Sequence, residues 1–180
     1  MEMNQTMTNS ISDSQNEHLL YDNWVFWAHL PHDTDWSLTS YKKICELKSV
    51  ENVLSLIDVV PEKMIQNCML FFMRKHINPT WEDPLNKNGG CFSFKIPNKN
   101  IYRIWNQMIC ALMGETISND EKFLKCVNGI TLSPKKSFCI LKVWMSNVNN
   151  QNPKKICEIA GLTVHGCLFK KHNPNPDRKY

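Results

Sequence analysis

The sequence predicts an α+β domain, an antiparallel sheet with helices gathered on one face. Three observations carry that expectation. Short apolar runs rich in β-branched and aromatic residues recur along the chain, but they do not alternate regularly with helical segments. Three stretches read as helices, the clearest of them with apolar residues three and four apart. A Ser133-Pro134-Lys135-Lys136 break between two apolar runs signals a hairpin.

The elements follow in order. Residues 1–17 are rich in Asn, Ser, Thr and Gln and are expected to form a mobile polar tail. A single domain is expected over 18–172, and a polar tail over 173–180. Tyr21 to Leu30, with Trp24-Val25-Phe26-Trp27 at its centre, suits a strand, and Pro31 to Asp35 a loop. Ser49 is a plausible N-cap for a helix carrying Val50, Val53, Leu54, Ile57 and Val60, stopped by Pro61. Asn67 to Met73 reads as a buried strand, and Lys75 to Gly90, with two prolines and a Gly-Gly pair, as a long structured loop. Cys91 to Ile96 is a strand with Phe92, Phe94 and Ile96 on one face. Lys99 to Met113 is a second helix with Ile101, Ile104, Trp105, Met108, Ile109 and Leu112 inside and Gly114 at its end. Cys126 to Leu132 and Ser137 to Met145 form the hairpin, Pro153 to Ala160 a third helix closed by Gly161, and Thr163 to Phe169 a last strand.

A chain of 180 residues can bury a core without disulfide or metal staples. Its eight cysteines show no C-x-x-C pair and no four-ligand zinc spacing, and the first 16 residues lack the apolar region of a secretory signal. The thiols are therefore expected to be reduced and mostly buried, in the cytoplasm or, as an alternative, the nucleus. The formal net charge of +4 suits an anionic partner without specifying one. Apolar runs such as Cys68 to Met73 are too short to cross a bilayer. The acids Asp33, Asp35, Glu82 and Asp83 lie in short pairs. There is no nucleophile elbow, phosphate-cradling glycine loop or metal-ligand helix, so no catalytic residue, metal or cofactor is expected.

Six tryptophans divide into two settings. Trp24, Trp27 and Trp105 lie in apolar periodic segments and are expected to pack in the core. Trp36 and Trp81 lie in polar loops bounded by proline, where a large aromatic either plugs the core edge or meets a ligand. Glu82 directly after Trp81 favours the second reading. A carboxylate accepts two protons from the N1 and exocyclic amine edge of guanine. Methylation at N7 makes that base a delocalised cation, attracted to indole faces by about 2 kcal/mol or more when desolvated. Base–aromatic stacking adds about 1–3 kcal/mol per base.

Asn78-Pro79-Thr80-Trp81-Glu82-Asp83, followed by Asn86-Lys87-Asn88-Gly89-Gly90, resembles the cap-binding loop of the eukaryotic translation initiation factor 4E family. Tyr21 to Trp27 resembles that family's first strand. Ile104-Trp105 with Leu112-Met113-Gly114-Glu115 resembles its second helix, and all six tryptophans fall on family positions. The resemblance implies a curved antiparallel sheet of about eight strands with three long helices on its convex face. It implies that Trp36 and Trp81 sandwich the 7-methylguanosine cap of messenger RNA, that Glu82 accepts the N1 and amine protons, and that the Trp81 backbone N–H meets O6. It places Trp144 on the N7 methyl. A monomer binding capped mRNA in translation initiation is the expectation.

Two departures qualify it. The basic position after Gly89-Gly90 is Cys91, which leaves Lys135, Lys136 and Lys142 as phosphate-binding candidates. On the partner-binding surface, where the family docks a helical Y-x-x-x-x-L scaffold segment, Val50 is kept. A family tryptophan is replaced there by Leu54, and Trp105 is followed by Asn106-Gln107 in place of Leu-Glu. Partner binding is then either lost or met by a partner of altered chemistry. A cap-binding repressor that does not recruit the usual scaffold is the first alternative, and a general single-stranded RNA binder the second.

Overall fold

Pleating sorts the apolar side chains of this chain onto two faces of one sheet. The computed structural model describes residues 17–172, and the expected tails 1–16 and 173–180 lie outside the described residues. The strands are β1 (Leu19–His29), β2 (Tyr41–Ser49), β3 (Met69–Arg74), β4 (Gly90–Pro97), β5 (Val127–Pro134), β6 (Phe138–Met145) and β7 (Leu168–Lys171). The helices are α1 (Val50–Val59), α2 (Glu62–Asn67), α3 (Asn98–Met113) and α4 (Glu121–Leu124). The sheet order is β2-β1-β3-β5-β6-β4-β7, and every neighbouring pair is antiparallel.

One face carries Trp24, Phe26, Leu70, Phe72, Phe92, Phe94, Ile96, Ile130, Leu132, Leu141 and Val143, which join Ile101, Ile104, Trp105, Met108 and Leu112 of α3 in the main core. Each such large side chain, fully buried, contributes about 1.5–3 kcal/mol. The opposite, open face holds a smaller cluster of Phe71, Met73, Ile77 and Trp144, with Trp27, Tyr41 and Met69 packed against it. Trp27 thus belongs to the open face and not, with Trp24 and Trp105, to the helix-covered core.

Local chemistry sets the helix ends. The Ser49 side chain accepts the Asn52 N–H, capping α1, and Glu51 lies in the first turn where negative charge suits the helix dipole. Gly114 closes α3 with its N–H on the Cys110 carbonyl at 2.9 Å.

Several expectations need correction. Among the described residues the sheet has seven strands where about eight were expected, and β2 is one that the apolar pattern does not reveal. It is an edge strand, YKKICELKS, whose lysines and Glu46 blunt an exposed edge and hide the alternation. The helix expected over Pro153 to Ala160 is a single 3-10 turn, Pro153–Lys155. There the Cys157 N–H leaves the helical path for the Ile117 carbonyl at 2.8 Å, and Gly161 sits at φ 86° in a separate turn. The last strand starts later than expected, at Leu168. The short α2 and α4 were not expected at all. The cysteines are free, but only Cys91 and Cys139 are buried. Cys110 is exposed and the rest are half-buried.

Candidate functional site

The open face is where the chemistry-bearing loops converge. Trp36 stands in the loop between β1 and β2, 56% exposed. Its peptide is fixed from both sides. The Asp35 N–H donates to Asp33 Oδ1 at 3.0 Å, and Asp35 accepts the Ser37 N–H at 2.8 Å and the Ser37 hydroxyl at 2.7 Å. The Ser37 amide and then its hydroxyl hold the Asp35 carboxyl below its ordinary 3.8. Buried His29 stacks on the Trp36 ring, with centroids 4.2 Å apart and planes 4° from parallel. Tyr41 meets His29 edge-on at 5.2 Å and Phe71 edge-on at 5.3 Å.

The loop carrying Trp81 leaves β3 at the far end of the sheet and folds back over the open face, where Ile77 packs with Phe71, Met73 and Trp144. A buried polar network shapes it. Asn86, fully buried, donates to the Asn78 carbonyl at 3.0 Å and the Thr80 carbonyl at 2.8 Å, and its own oxygen accepts from Asn128 at 2.9 Å. Asp83 accepts the Asn78 and Leu85 N–H groups, each at 2.9 Å. At the loop's return a Cβ on Gly89 would fall 1.7 Å from the Met145 carbonyl oxygen, so only glycine lets the two backbones approach. Trp81 emerges 39% exposed, and Glu82 is exposed beside it. Burial first, and then the negative field of Glu82, push the Tyr41 hydroxyl above its ordinary range. Glu82 therefore lies within electrostatic reach of Tyr41.

Trp144 is buried in the same face and donates its indole N–H to Thr131 Oγ1 at 2.7 Å. His172 packs against its ring, 4.6 Å between centroids, and meets the Asn86 carbonyl at 2.8 Å. Burial, helped by the charge of Lys142 and opposed by the Asn86 carbonyl, lowers the His172 pKa.

Lys142 lies two residues before Trp144 on the same face, about 7 Å along the strand. Its cross-strand partners are Ser93 and Thr131. Lys135 and Lys136 are exposed at the β5–β6 turn, beyond the Ser133–Ile140 pair. Register adds two cations that the sequence pattern did not single out. Lys95 pairs with Ile140 and lies over the Phe138 ring at 4.3 Å, and Lys170 pairs with Cys91. Alternation in β4 and β7 was the available signal, since Phe92, Phe94 and Phe169 on the core side put Cys91, Ser93, Lys95 and Lys170 on the other. No acidic side chain falls on this face of β3 to β7.

On the opposite side, Val50 is 40% and Leu54 53% exposed on α1. Gln107 is exposed and accepts from Arg103 at 3.0 Å. Trp105 is buried at 1%, its ring 5.5 Å from Phe72, so it offers no surface to a partner; the apolar spacing of α3 already points it inward. An open pocket of about 530 Å³ lies elsewhere, beside Arg74, whose charge is already paired with Asp22 at 2.8 Å and Glu115 at 2.9 Å. Among the described residues no group of three or more His, Cys, Asp or Glu side chains is placed to hold a metal ion, and no helix is long and apolar enough to cross a membrane.

An antiparallel sheet backed by helices, with exposed indoles on loops over its open face, defines a class of α+β domain with solved counterparts. A Schistosome initiation factor 4E, complexed with m7GpppG and 4E-BP, superposes with a TM-score of 0.69 at 21% identity, over 76% of each chain. An Ascaris suum factor, eIF4E-3 with m7G cap, superposes with a TM-score of 0.66 at 20% identity, over 74% of this chain and 76% of that one. At these identities the likeness is one of fold. In sequence, the family model described as eukaryotic initiation factor 4E matches residues 19–173. The chain belongs to the eukaryotic initiation factor 4E family. Translation initiation factor 4E-2 of Schizosaccharomyces pombe is 30% identical over 154 residues, 81% of this chain and 59% of that protein. A factor 4E homolog of Acanthamoeba polyphaga mimivirus is 28% identical over 128 residues, 63% of this chain and 47% of that protein. The chain thus spans roughly half to three-fifths of the length of these two relatives.

Proposed function

We propose that this chain binds the 7-methylguanosine cap of messenger RNA by stacking the base between Trp36 and Trp81, and that it acts in translation initiation as a binding protein and not as an enzyme. The observation that carries the reading is the pair of exposed indoles on preformed loops over the open face, with Glu82 beside one of them, in a chain of this family. A buried core has no use for either indole in that setting, and a carboxylate next to an aromatic platform matches the N1 and amine edge of guanine. Trp144 supplies an apolar wall on which the N7 methyl packs. The phosphates run over the acid-free part of the face, held by Lys142 with Lys135 and Lys136 at its edge. Lys95 joins them from β4 where Cys91 leaves no charge.

Tryptophan fluorescence quenching tests the reading. Methylated GTP should quench strongly and plain GTP weakly, and Trp36→Ala or Glu82→Ala should remove the difference. Equal quenching by both ligands would sink it in favour of general single-stranded RNA binding. The α1 surface supports a second element of the reading. Leu54 leaves an apolar anchor but no indole N–H, and Gln107 carries no charge, so a helical scaffold or regulatory segment of altered chemistry is the expected partner. Capture of the chain by an ordinary Y-x-x-x-x-L peptide would contradict that and favour the usual scaffold. Loss of all such partners, with cap binding retained, would mark a repressor.

A further inference from the structure

Trp36 has two faces, and one of them is already occupied. His29 covers it in near-parallel contact, 4.2 Å between centroids and 4° between planes. The imidazole is held tightly, at 2% exposure, with Nε2 2.8 Å from the Asp35 carbonyl oxygen and Tyr41 against its edge. A carbonyl oxygen only accepts, so Nε2 carries the hydrogen and Nδ1 is the atom that gains a proton when the ring becomes charged.

From this stack we infer that His29 is a positioning residue for Trp36, and that its charge sets how well Trp36 receives a cationic base. The inference rests on the cap-binding reading. A neutral imidazole is a flat support that fixes the indole plane. An imidazolium at the same place draws on the same π-electrons from behind and sets a like charge one ring away from the methylated base. It penalises a methylated guanine and leaves a neutral guanine nearly untouched. Charged and titratable groups surround the stack. Asp35, on the Trp36 loop, is held down first by the Ser37 amide and hydroxyl and to a lesser degree by His29 and Lys42. From β2 come Tyr41 and Lys42, and from the Trp81 loop comes Glu82, whose field reaches Tyr41. The neighbours on β3, Met69 and Phe71, carry no charge.

The test compares association constants for methylated GTP and for GTP, by quenching, as the pH is lowered from about 7 to about 5.5, a range in which the methylated base keeps its N1 proton. The full chain, His29→Phe and His29→Ala are titrated in parallel. Phosphate ionisation acts on both ligands and cancels in the ratio of the two constants, and the charges of Glu82, Lys142 and His172 are common to the unmutated and Phe chains, so the difference between those two chains isolates His29. Protonation of His29 should lower the ratio about three- to fivefold in the unmutated chain, the size of a cation–π term at an exposed ring. His29→Phe should remove that fall and restore most of the affinity that His29→Ala loses. Parallel slopes in the unmutated and Phe chains would overturn the charge effect, and undiminished binding by His29→Ala would overturn the positioning role. Absence of binding by the unmutated chain would instead overturn the cap reading, and this inference with it.

Discussion

The two tryptophan loops reach the same face by different means. Trp81 is carried by a loop whose centre is buried. Asn86 and Asp83 tie its backbone together from inside, and Asn128 reaches across from β5 to complete the network. Trp36 is carried by a loop whose fastening hydrogen bonds, between Asp33, Asp35 and Ser37, are all solvent-exposed. Beneath it, two buried side chains hold single carbonyls, His29 that of Asp35 and Ser40 that of Ser37, each at 2.8 Å. Buried polar networks are costly to break, because each orphaned group loses its partner without gaining water, whereas exposed ones exchange readily with solvent. One platform is therefore part of the fold, and the other is mounted on it.

The sharpest way to break that contrast is Asn86→Ala. It strands two carbonyls and takes one of two partners from the Asn128 amide, which keeps the Leu85 carbonyl, and should cost about 3 kcal/mol or more of stability, read as a lower urea midpoint. Methylated GTP binding should fall with it. A loss below about half a kcal/mol, the usual size of a surface change, would mean that the network does not hold the loop. Trp36→Ala and Trp81→Ala should behave differently. Each should weaken methylated GTP binding by about 5- to 150-fold, the equivalent of about 1–3 kcal/mol of stacking. Since both rings are exposed, neither should move stability much. Should one substitution leave affinity intact, the sandwich reduces to a single platform. Smaller again is the phosphate contribution. Each lysine that neutralises a phosphate should reduce the salt slope of binding by about 0.7. Lys95→Ala with Lys142→Ala, set against Lys135→Ala with Lys136→Ala, decides whether the strand face or the hairpin turn holds the phosphates. An unchanged slope removes the pair concerned from the site.

Much of this fold was legible where side-chain periodicity is undisguised. α1 and α3 announce themselves through apolar spacing and their stops at Pro61 and Gly114, and β4 through Phe92, Phe94 and Ile96. What stayed hidden has physical causes. The edge strand β2 carries Lys42, Lys43, Glu46 and Lys48 among few apolar residues, so its alternation is weak. The segment after Pro153 looks helical locally, but the tertiary bond from Cys157 to Ile117 diverts it. At the site, Trp36, Trp81 and Glu82 stand out because large aromatics in proline-bounded polar loops are conspicuous. His29 and Lys95 do not, because what singles them out is a stack and a cross-strand register. Those exist only once β1, β4 and β6 are paired. Trp105 could be read both as core and as partner surface, and burial decides for the core.

The mounted platform should also respond to acid. The Asp35 carboxyl is held below its ordinary 3.8 chiefly by the Ser37 amide and hydroxyl. A depressed carboxylate stabilises the folded turn above the unfolded value and loses that contribution as pH falls through the folded one. Lowering the pH past 3.8 should therefore loosen the turn on either side of Trp36. Asn86, at the centre of the other loop's network, has no proton to gain. Near-ultraviolet circular dichroism, which reports the asymmetric setting of indole rings, should lose a small part of its intensity in this range, before the far-ultraviolet signal of the sheet changes. Asp35→Asn should show the same reduced intensity already at neutral pH and no further acid step. If that variant keeps the full signal and the acid step, the loss comes from elsewhere in the molecule, and the Trp36 turn is held by the His29 stack alone.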